Sequence, residues 1–165
     1  MREAVSDSSP LIHLAAIGRL DLLPSFHERV LIPNAVWHEV VAQGGSRPGA
    51  KEVQEARDAG WLTVESVVLD PTVIFLRNQL DAGESEAIAL ALERQPEALL
   101  LDEGYGRAVA RSFGINVNGS VGLLMRAKRV GLVPNLRAEL ERLRGPGKFY
   151  LSQTFYDAAL RAVGE

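Results

Sequence analysis

Apolar residues recur along this chain with two different spacings. Five short apolar runs are typical of buried strands, and they cover 4–6, 30–32, 61–64, 98–101 and 115–117. Elsewhere apolar residues recur every three or four positions, which predicts helices over 9–18, 34–41, 50–59, 73–79, 82–94, 107–113, 121–130, 136–144 and 154–163. A further turn or two is predicted over 20–26. Strands that alternate with helices predict an α/β protein whose parallel sheet is covered on both faces.

Acidic residues follow two of the predicted strands. Asp7 comes directly after the first strand, and Asp102 and Glu103 come after the fourth. Ligands bind outside the carboxyl ends of the strands in sheets of this kind, so the two positions predict a site. Each acid also has an ordinary alternative, since Asp7 before Ser-Ser-Pro and Asp102 before Gly104 are suited to capping a helix or forming an Asx turn.

Glu84 has an unusual position on its predicted helix. At 100° per residue it lies at the centre of the apolar face, near Ile88 and Ala91, whereas Glu86 and Glu93 lie on the opposite face. A buried acid must be paired, hydrogen-bonded or bound to a metal. The alternative for Glu84 is a capping box with Asp81 as the N-cap.

Glu39 is less distinctive than the other three acids. It lies at the flank of an apolar face, where a surface salt bridge is the ordinary expectation.

Four acids that converge on one pocket would repel each other unless cations lie between them, and sites built only from oxygen suit Mg²⁺ or Mn²⁺. Such ions activate water and hold a phosphodiester during in-line displacement.

Composition and charge narrow the chemistry. The 165 residues include no cysteine, which excludes a zinc site built on thiolates, an iron–sulfur cluster and a cysteine nucleophile. The net charge is −3, but it is −9 up to Glu103 and +6 from Gly104 onward. This asymmetry indicates an ionic partner such as a nucleic-acid backbone, with chance placement of solvated charges as the alternative. No stretch is suited to a membrane span or a secretory signal, which predicts a cytoplasmic protein without membrane contact.

Five blocks of the sequence, taken in order between residues 4 and 133, resemble the PIN domain family. The first is an acid followed by Ser8 and Ser9, and the second carries the helix glutamate Glu39. The third resembles the Gly-Glu box of a PIN-like subfamily of unknown function. The five blocks are 7–12, 32–40, 80–91, 99–110 and 118–131.

The resemblance implies a Rossmann-like three-layer α/β/α sandwich with a mostly parallel sheet, forming one domain over 1–165 with a helical extension over 134–165. It also implies a Mg²⁺- or Mn²⁺-dependent endoribonuclease, often the toxin of a toxin–antitoxin pair. RNA, a small antitoxin protein and a second copy in a homodimer are the implied partners. The implied metal-binding and catalytic acids are Asp7, Glu39, Glu84 and Asp102, and the implied substrate-binding residues are Ser9, Arg107 and Ser120.

Two other functions are consistent with parts of the sequence. A catalytically silent PIN-like module would bind nucleic acid or protein on the same fold. The segment 104–109 follows a strand and opens a helix as a dinucleotide loop does, which would suit an oxidoreductase. However, Val109 occupies the third glycine position, and two acids precede the loop where pyrophosphate would be repelled.

Overall fold

Five short parallel strands form one sheet in the computed structural model, which describes residues 1–165. The sheet has the spatial order β3-β2-β1-β4-β5, so the two central strands are β1 and β4. The strands are β1 (Glu3–Ser6), β2 (Arg29–Pro33), β3 (Leu62–Glu65), β4 (Ala98–Leu100) and β5 (Val117–Asn118).

Ten α-helices and one π-helical turn surround the sheet. The α-helices are α1 (Ser8–Ala16), α2 (Leu22–Phe26), α3 (Asn34–Trp37), α4 (Ala50–Ala59), α5 (Pro71–Arg77), α6 (Ala82–Arg94), α7 (Gly104–Ser112), α8 (Ser120–Arg129), α9 (Leu136–Arg144) and α10 (Gln153–Ala162). The π-helix covers His38–Ala42 and directly continues α3.

Neighbouring residues of each strand enter different cores, as the pleat of a strand requires. Ala4 and Leu100 belong to the larger apolar cluster, which is completed by α1 to α4 and α8 to α10. Val5 and Leu99 belong to a smaller cluster, completed by α5 to α7. The sheet is therefore covered on both faces, and the predicted α/β fold class is confirmed.

Several predicted boundaries differ from the structure by one to three residues. The helix predicted over 34–41 is α3 followed by the π-helix. Helix α7 begins three residues earlier than predicted, because the Glu103 side chain accepts hydrogen bonds from the backbone N–H groups of Tyr105 and Gly106. Strand β5 covers Val117–Asn118 rather than 115–117, and its residues pair with Leu99 and Leu100.

The direction in which successive strands are added to the sheet reverses between β1 and β4, although all five strands are parallel. Connections from β1 lead outward through β2 to β3, whereas those after β4 lead to β5 on the other side. Such a switch point leaves a crevice at the carboxyl ends of the two central strands. No helix of the structure is long and apolar enough to cross a membrane.

Candidate active site

Asp7 and Asp102 follow the two central strands at the switch point. Ser6 at the end of β1 pairs with Leu100 at the end of β4. The backbone N–H of Asp7 then donates to the carbonyl of Leu100 over 2.9 Å. Parallel pairing therefore brings together two acids that are 95 positions apart in the sequence.

Glu39 and Asp81 reach the same edge of the sheet from the helices. A Cβ atom added to Gly83 would stand 3.2 Å from Oδ1 of Asp7, 3.3 Å from Oε2 of Glu39 and 3.6 Å from Oδ1 of Asp81. The Ser8 hydroxyl holds Glu39 in place by donating to its Oε2 over 2.6 Å. Because Gly83 has no side chain, the space between these carboxylates stays open.

Asp7 is buried among like charges. Its exposed fraction is 3%, and its pKa is raised to about 7. Burial is the largest cause, and the carboxylates of Asp81, Glu39 and Asp102 raise the pKa further, whereas a hydrogen bond from the Ser8 backbone lowers it. The folded chain therefore disfavours a negative charge at Asp7.

Glu84 lies in the first turn of α6 and is buried, as its position on the helical wheel predicted. The side chain of Asp81 caps α6 by accepting from the Glu84 N–H over 2.8 Å. The structure shows no return bond from Glu84 to the backbone of Asp81, and the buried Oε2 of Glu84 has no hydrogen-bond partner. The pKa of Glu84 is raised to about 8, mainly by burial, next by a hydrogen bond with the Asp81 side chain, and then by the charge of Asp81.

Asp102 has a different environment, because its buried side chain accepts hydrogen bonds from several donors. Oδ1 accepts from the Ser120 N–H over 2.7 Å, and Oδ2 accepts from the Ser120 hydroxyl over 2.6 Å. Nδ1 of His13 lies 2.7 Å from the same Oδ2. The ring of His13 in turn packs edge-on against Phe149, with 4.9 Å between ring centroids.

Arg107 lies beside Asp102 without forming a direct ion pair. Its Nη1 donates to the carbonyl of Leu101 over 2.8 Å. A Cβ on Gly119 would stand 2.7 Å from Nη1 of Arg107 and 2.8 Å from Oδ1 of Asp102. Burial and Arg111 lower the pKa of Arg107, and the charge of Asp102 raises it. Glycine at position 119 leaves room for both the guanidinium and the carboxylate.

The backbone N–H groups at the start of α7 are already hydrogen-bonded to the side chain of Glu103. The backbone N–H groups of Tyr105 and Gly106 donate to Glu103 over 2.9 and 2.6 Å. These are the groups that a dinucleotide phosphate would need. A Cβ on Gly106 would also collide with Oε2 of Glu84. This geometry opposes the oxidoreductase alternative.

The comparison with known families agrees with this geometry, since the sequence profile of the PIN domain matches residues 3–165. The chain belongs to the PIN domain family. No curated protein matches it. It is similar to a solved structure, a domain of a functionally unknown protein from Methanocaldococcus jannaschii DSM 2661, with 22% identity and a TM-score of 0.45, covering 72% of this chain and 91% of that chain. We draw nothing from that distant likeness.

PIN domains are typically nucleases, and the match includes the whole of the predicted extension over 134–165. The extension contributes to the site, because Phe149 contacts His13 and Lys148 lines a cavity of about 350 Å³ together with His13 and Glu39. Two basic residues of the second half form ion pairs with acids of the same half. Arg142 pairs with Glu139, and Lys128 pairs with Glu165.

The structure brings the four predicted acids to one edge of this PIN domain, but it shows no formed metal centre. No three His, Asp or Glu side chains are arranged to hold one ion. The predicted serines differ from each other. Ser120 is buried, and its hydroxyl donates a hydrogen bond to Asp102. Ser8 rather than Ser9 donates to the acids, and a substrate-binding role for Ser9 stays a prediction.

The sequence patterns did not indicate His13 or Asp81 as members of this cluster. His13 lies one helical turn after Ser9, which was predicted to line the pocket. That spacing was the available signal. Asp81 was considered only as a cap, but its charge also raises the pKa values of Asp7 and Glu84.

Proposed function

We propose that this chain is a Mg²⁺- or Mn²⁺-dependent endoribonuclease that hydrolyses RNA phosphodiester bonds. The observation that carries the proposal is the buried Oε2 of Glu84, which has no partner within the chain. Oxygens of Asp7 and Glu39 face the space at Gly83, the residue that precedes Glu84 on α6. A buried acceptor without a donor is costly, and a cation beside these carboxylates would offset that cost.

The donor set fits a hard divalent cation. All the predicted ligands are carboxylate oxygens, and the site contains no thiolate. Asp7, Glu39 and Glu84 would hold the ion with Asp102, whose carboxylate retains acceptor capacity after three hydrogen bonds. A bound Mg²⁺ or Mn²⁺ supplies the charge that activates an attacking water and stabilises the phosphate under attack.

The residues around Asp102 orient the site and receive the substrate. His13 and Ser120 fix the Asp102 carboxylate in one orientation, as outer partners of a metal ligand do. Arg107 places positive charge beside that carboxylate, where it would hold a phosphate of the RNA backbone. Ser9 would line the approach as a hydrogen-bond donor.

The test is RNA cleavage by purified, nuclease-free protein with and without divalent cations. We expect cleavage in Mg²⁺ or Mn²⁺, none in EDTA, and none by Asp102→Asn. Calorimetric titration with Mn²⁺ gives a readout that does not depend on activity, and Asp102→Asn should bind the ion more weakly. Asp58→Asn is the matched control, since Asp58 is exposed on α4 and pairs only with Arg57.

The nuclease proposal would be contradicted by cleavage that Asp102→Asn leaves unchanged, or by wild-type protein that binds no Mn²⁺. The second outcome would favour a silent PIN-like module that binds nucleic acid or protein. One observation already favours that candidate: His13 and Ser120 hold the Asp102 carboxylate, and no three ligands are arranged around one point.

We also propose that the nuclease acts as the toxin of a toxin–antitoxin pair, with a small antitoxin protein as partner and a homodimer as the active assembly. Membership of the PIN domain family supports this role. Expression of the chain in a bacterial host should arrest growth, and Asp102→Asn should not. Chromatography with light scattering would test the dimer. Growth that is unaffected by the wild-type chain would contradict the toxin role while leaving the chemistry open to test.

A further inference from the structure

A second cavity lies beside Asp102, on the side formed by β5, α8 and the C-terminal extension. Its volume is about 290 Å³. The apolar walls include Val121 and Met125 on α8 and two aromatic residues of the extension, Phe149 and Phe155. Its polar rim consists of Asp102, Arg107 and Asn118. The cavity thus combines aromatic walls with hydrogen-bonding groups along one side.

Phe155 has no evident packing reason for its position. It lies in the first turn of α10 and is 51% exposed, although it lines this cavity. Phe149 is half-buried and bridges the cavity to the acids, because its ring contacts His13 and His13 contacts Asp102. An aromatic surface left open beside a polar rim is suited to a flat ligand with apolar faces.

The rim groups have unused hydrogen-bonding capacity. Oδ1 of Asn118 accepts from the Gly119 N–H over 3.0 Å, and its amide nitrogen has no partner in the chain. Arg107 is bonded to Leu101 through Nη1. An amide nitrogen can donate to a ring carbonyl or ring nitrogen, while a guanidinium suits a phosphate.

We propose that this cavity is a base-binding subsite that takes one unpaired nucleobase of the RNA strand cut at the adjacent acids. The base would stack on Phe149 and Phe155, its edge would accept from Asn118, and its phosphate would lie on Arg107. Paired bases cannot enter, because both of their faces are stacked and their edges are used. The subsite therefore selects single-stranded RNA, and this inference rests on the proposed ribonuclease function.

The test uses a single-stranded oligoribonucleotide of about eight nucleotides that carries a fluorescent adenine analogue, whose emission is quenched by stacking. Binding to wild-type protein should quench the emission, and Phe155→Ala should weaken the quenching, since only Phe149 is left to stack on the base. Phe155→Ala should also raise KM for cleavage about ten-fold, the effect of losing one base–aromatic stack. The value of kcat should change less than about two-fold, because the acids are intact.

Two further variants separate stacking from general damage. Phe155→Trp keeps an aromatic face and should retain both the quenching and KM. Phe75→Ala is the matched control, since Phe75 is 54% exposed on α5, which packs on the other face of the sheet. A thermal melt of each variant checks folding, and the exposure of both phenylalanines predicts little change.

The outcomes distinguish the subsite from the nuclease. Cleavage by wild type, together with unchanged quenching and KM in Phe155→Ala, overturns the subsite and leaves the nuclease standing. Binding and quenching that Phe155→Ala weakens, without any cleavage, support the subsite and overturn the nuclease. Wild-type protein that neither cleaves nor quenches the probe overturns both.

Discussion

The two sides of the acidic cluster solve the problem of a buried carboxylate in opposite ways. On the side of β4, Asp102 accepts from Ser120 and from His13 and lies close to the guanidinium of Arg107. On the side of α6, Glu84 has a buried oxygen without any partner, and its pKa is raised to about 8. Asp7 lies between them, with a pKa raised to about 7.

This difference indicates that the carboxylates of the site have different roles. A carboxylate that is already satisfied by the chain stays in one orientation whether or not a cation is present. Carboxylates that the chain leaves unsatisfied destabilise the fold, and a bound cation relieves that destabilisation. We therefore expect the Asp7–Glu84 side to dominate cation binding and the Asp102 side to dominate positioning.

The largest effect is expected for Glu84→Gln, which removes the charge and keeps the shape. Activity on RNA should fall at least about a hundred-fold, because a cation ligand is lost. The free energy of unfolding of the metal-free protein should nevertheless rise at pH 8 by on the order of a few kcal/mol, because position 84 no longer carries a buried charge. Cleavage kinetics and urea unfolding measure the two quantities.

Glu93→Gln is the control for this variant. Glu93 is exposed on the side of α6 opposite to Glu84, and its carboxylate forms no ion pair. It should change stability by less than about 1 kcal/mol and leave activity intact. A parallel loss of stability and activity in Glu84→Gln would contradict the comparison, since it would mark Glu84 as a structural residue.

The change in the stability of the wild-type protein with pH should be nearly as large as the stability change expected for Glu84→Gln. In the unfolded chain Asp7 and Glu84 ionise near their ordinary values of 3.8 and 4.5, and in the folded chain they ionise near 7 and 8. Between these values the folded state holds more protons, so stability should fall as pH rises from about 4 to about 8 and level off above. The total loss is on the order of several kcal/mol.

Thermal or urea unfolding of the metal-free protein across this pH range measures the slope. The double variant Asp7→Asn/Glu84→Gln should flatten it, and Mn²⁺ should restore stability of the wild-type protein at pH 8. Stability that rises over the same range would show that the two carboxylates are charged at no cost in the folded chain.

Ser120→Ala probes the satisfied side and should have a smaller effect. Asp102 would lose the hydroxyl donor but keep the Ser120 N–H and His13. We expect a loss of about 1.5–3 kcal/mol of stability, typical of a hydrogen bond to a charged group, and a ten- to hundred-fold loss of activity. Ser112→Ala is the control, because that hydroxyl donates to the Val109 carbonyl at the exposed end of α7.

Gly83→Ala should have the smallest effect on the fold. It tests whether the cation binds between Asp7 and Glu39. The new methyl group would stand 3.2 Å from Asp7 and 3.3 Å from Glu39. Alanine favours the helix by up to about 1 kcal/mol, so stability should hold or rise. The affinity for Mn²⁺ should fall about ten-fold if the cation binds between these carboxylates. Calorimetry decides this, with Gly104→Ala as a control where a Cβ meets nothing within 4 Å.

Much of the fold and part of the site could be predicted from local patterns. The apolar runs and helical spacings predicted the strands and helices because burial imposes a period on each element. The wheel predicted the burial of Glu84, and the position of Asp102 after a strand predicted its place at the sheet edge. Boundaries were less accurate where a side chain decided them, as when Glu103 capped α7.

Contacts between distant segments could not be predicted in this way. His13 and Asp102 are 89 positions apart, and no local period relates them. The choice of Ser8 over Ser9 as the donor to Glu39 depends on the first turn of α1 and on the π-helix that carries Glu39. The aromatic wall of the proposed base-binding cavity likewise joins Phe149 and Phe155 to β5 and α8.

The amino-acid sequence by itself therefore determined the order of elements, the alternation that covers both faces of the sheet and the identity of the acids available to a site. Only the tertiary structure decided which acids are satisfied and which are not. A carboxylate's pKa and partners depend on burial and on charges within a few ångströms. Those neighbours come from strands and helices that folding alone brings together, as it brings Ser120 to Asp102 but no donor to Oε2 of Glu84.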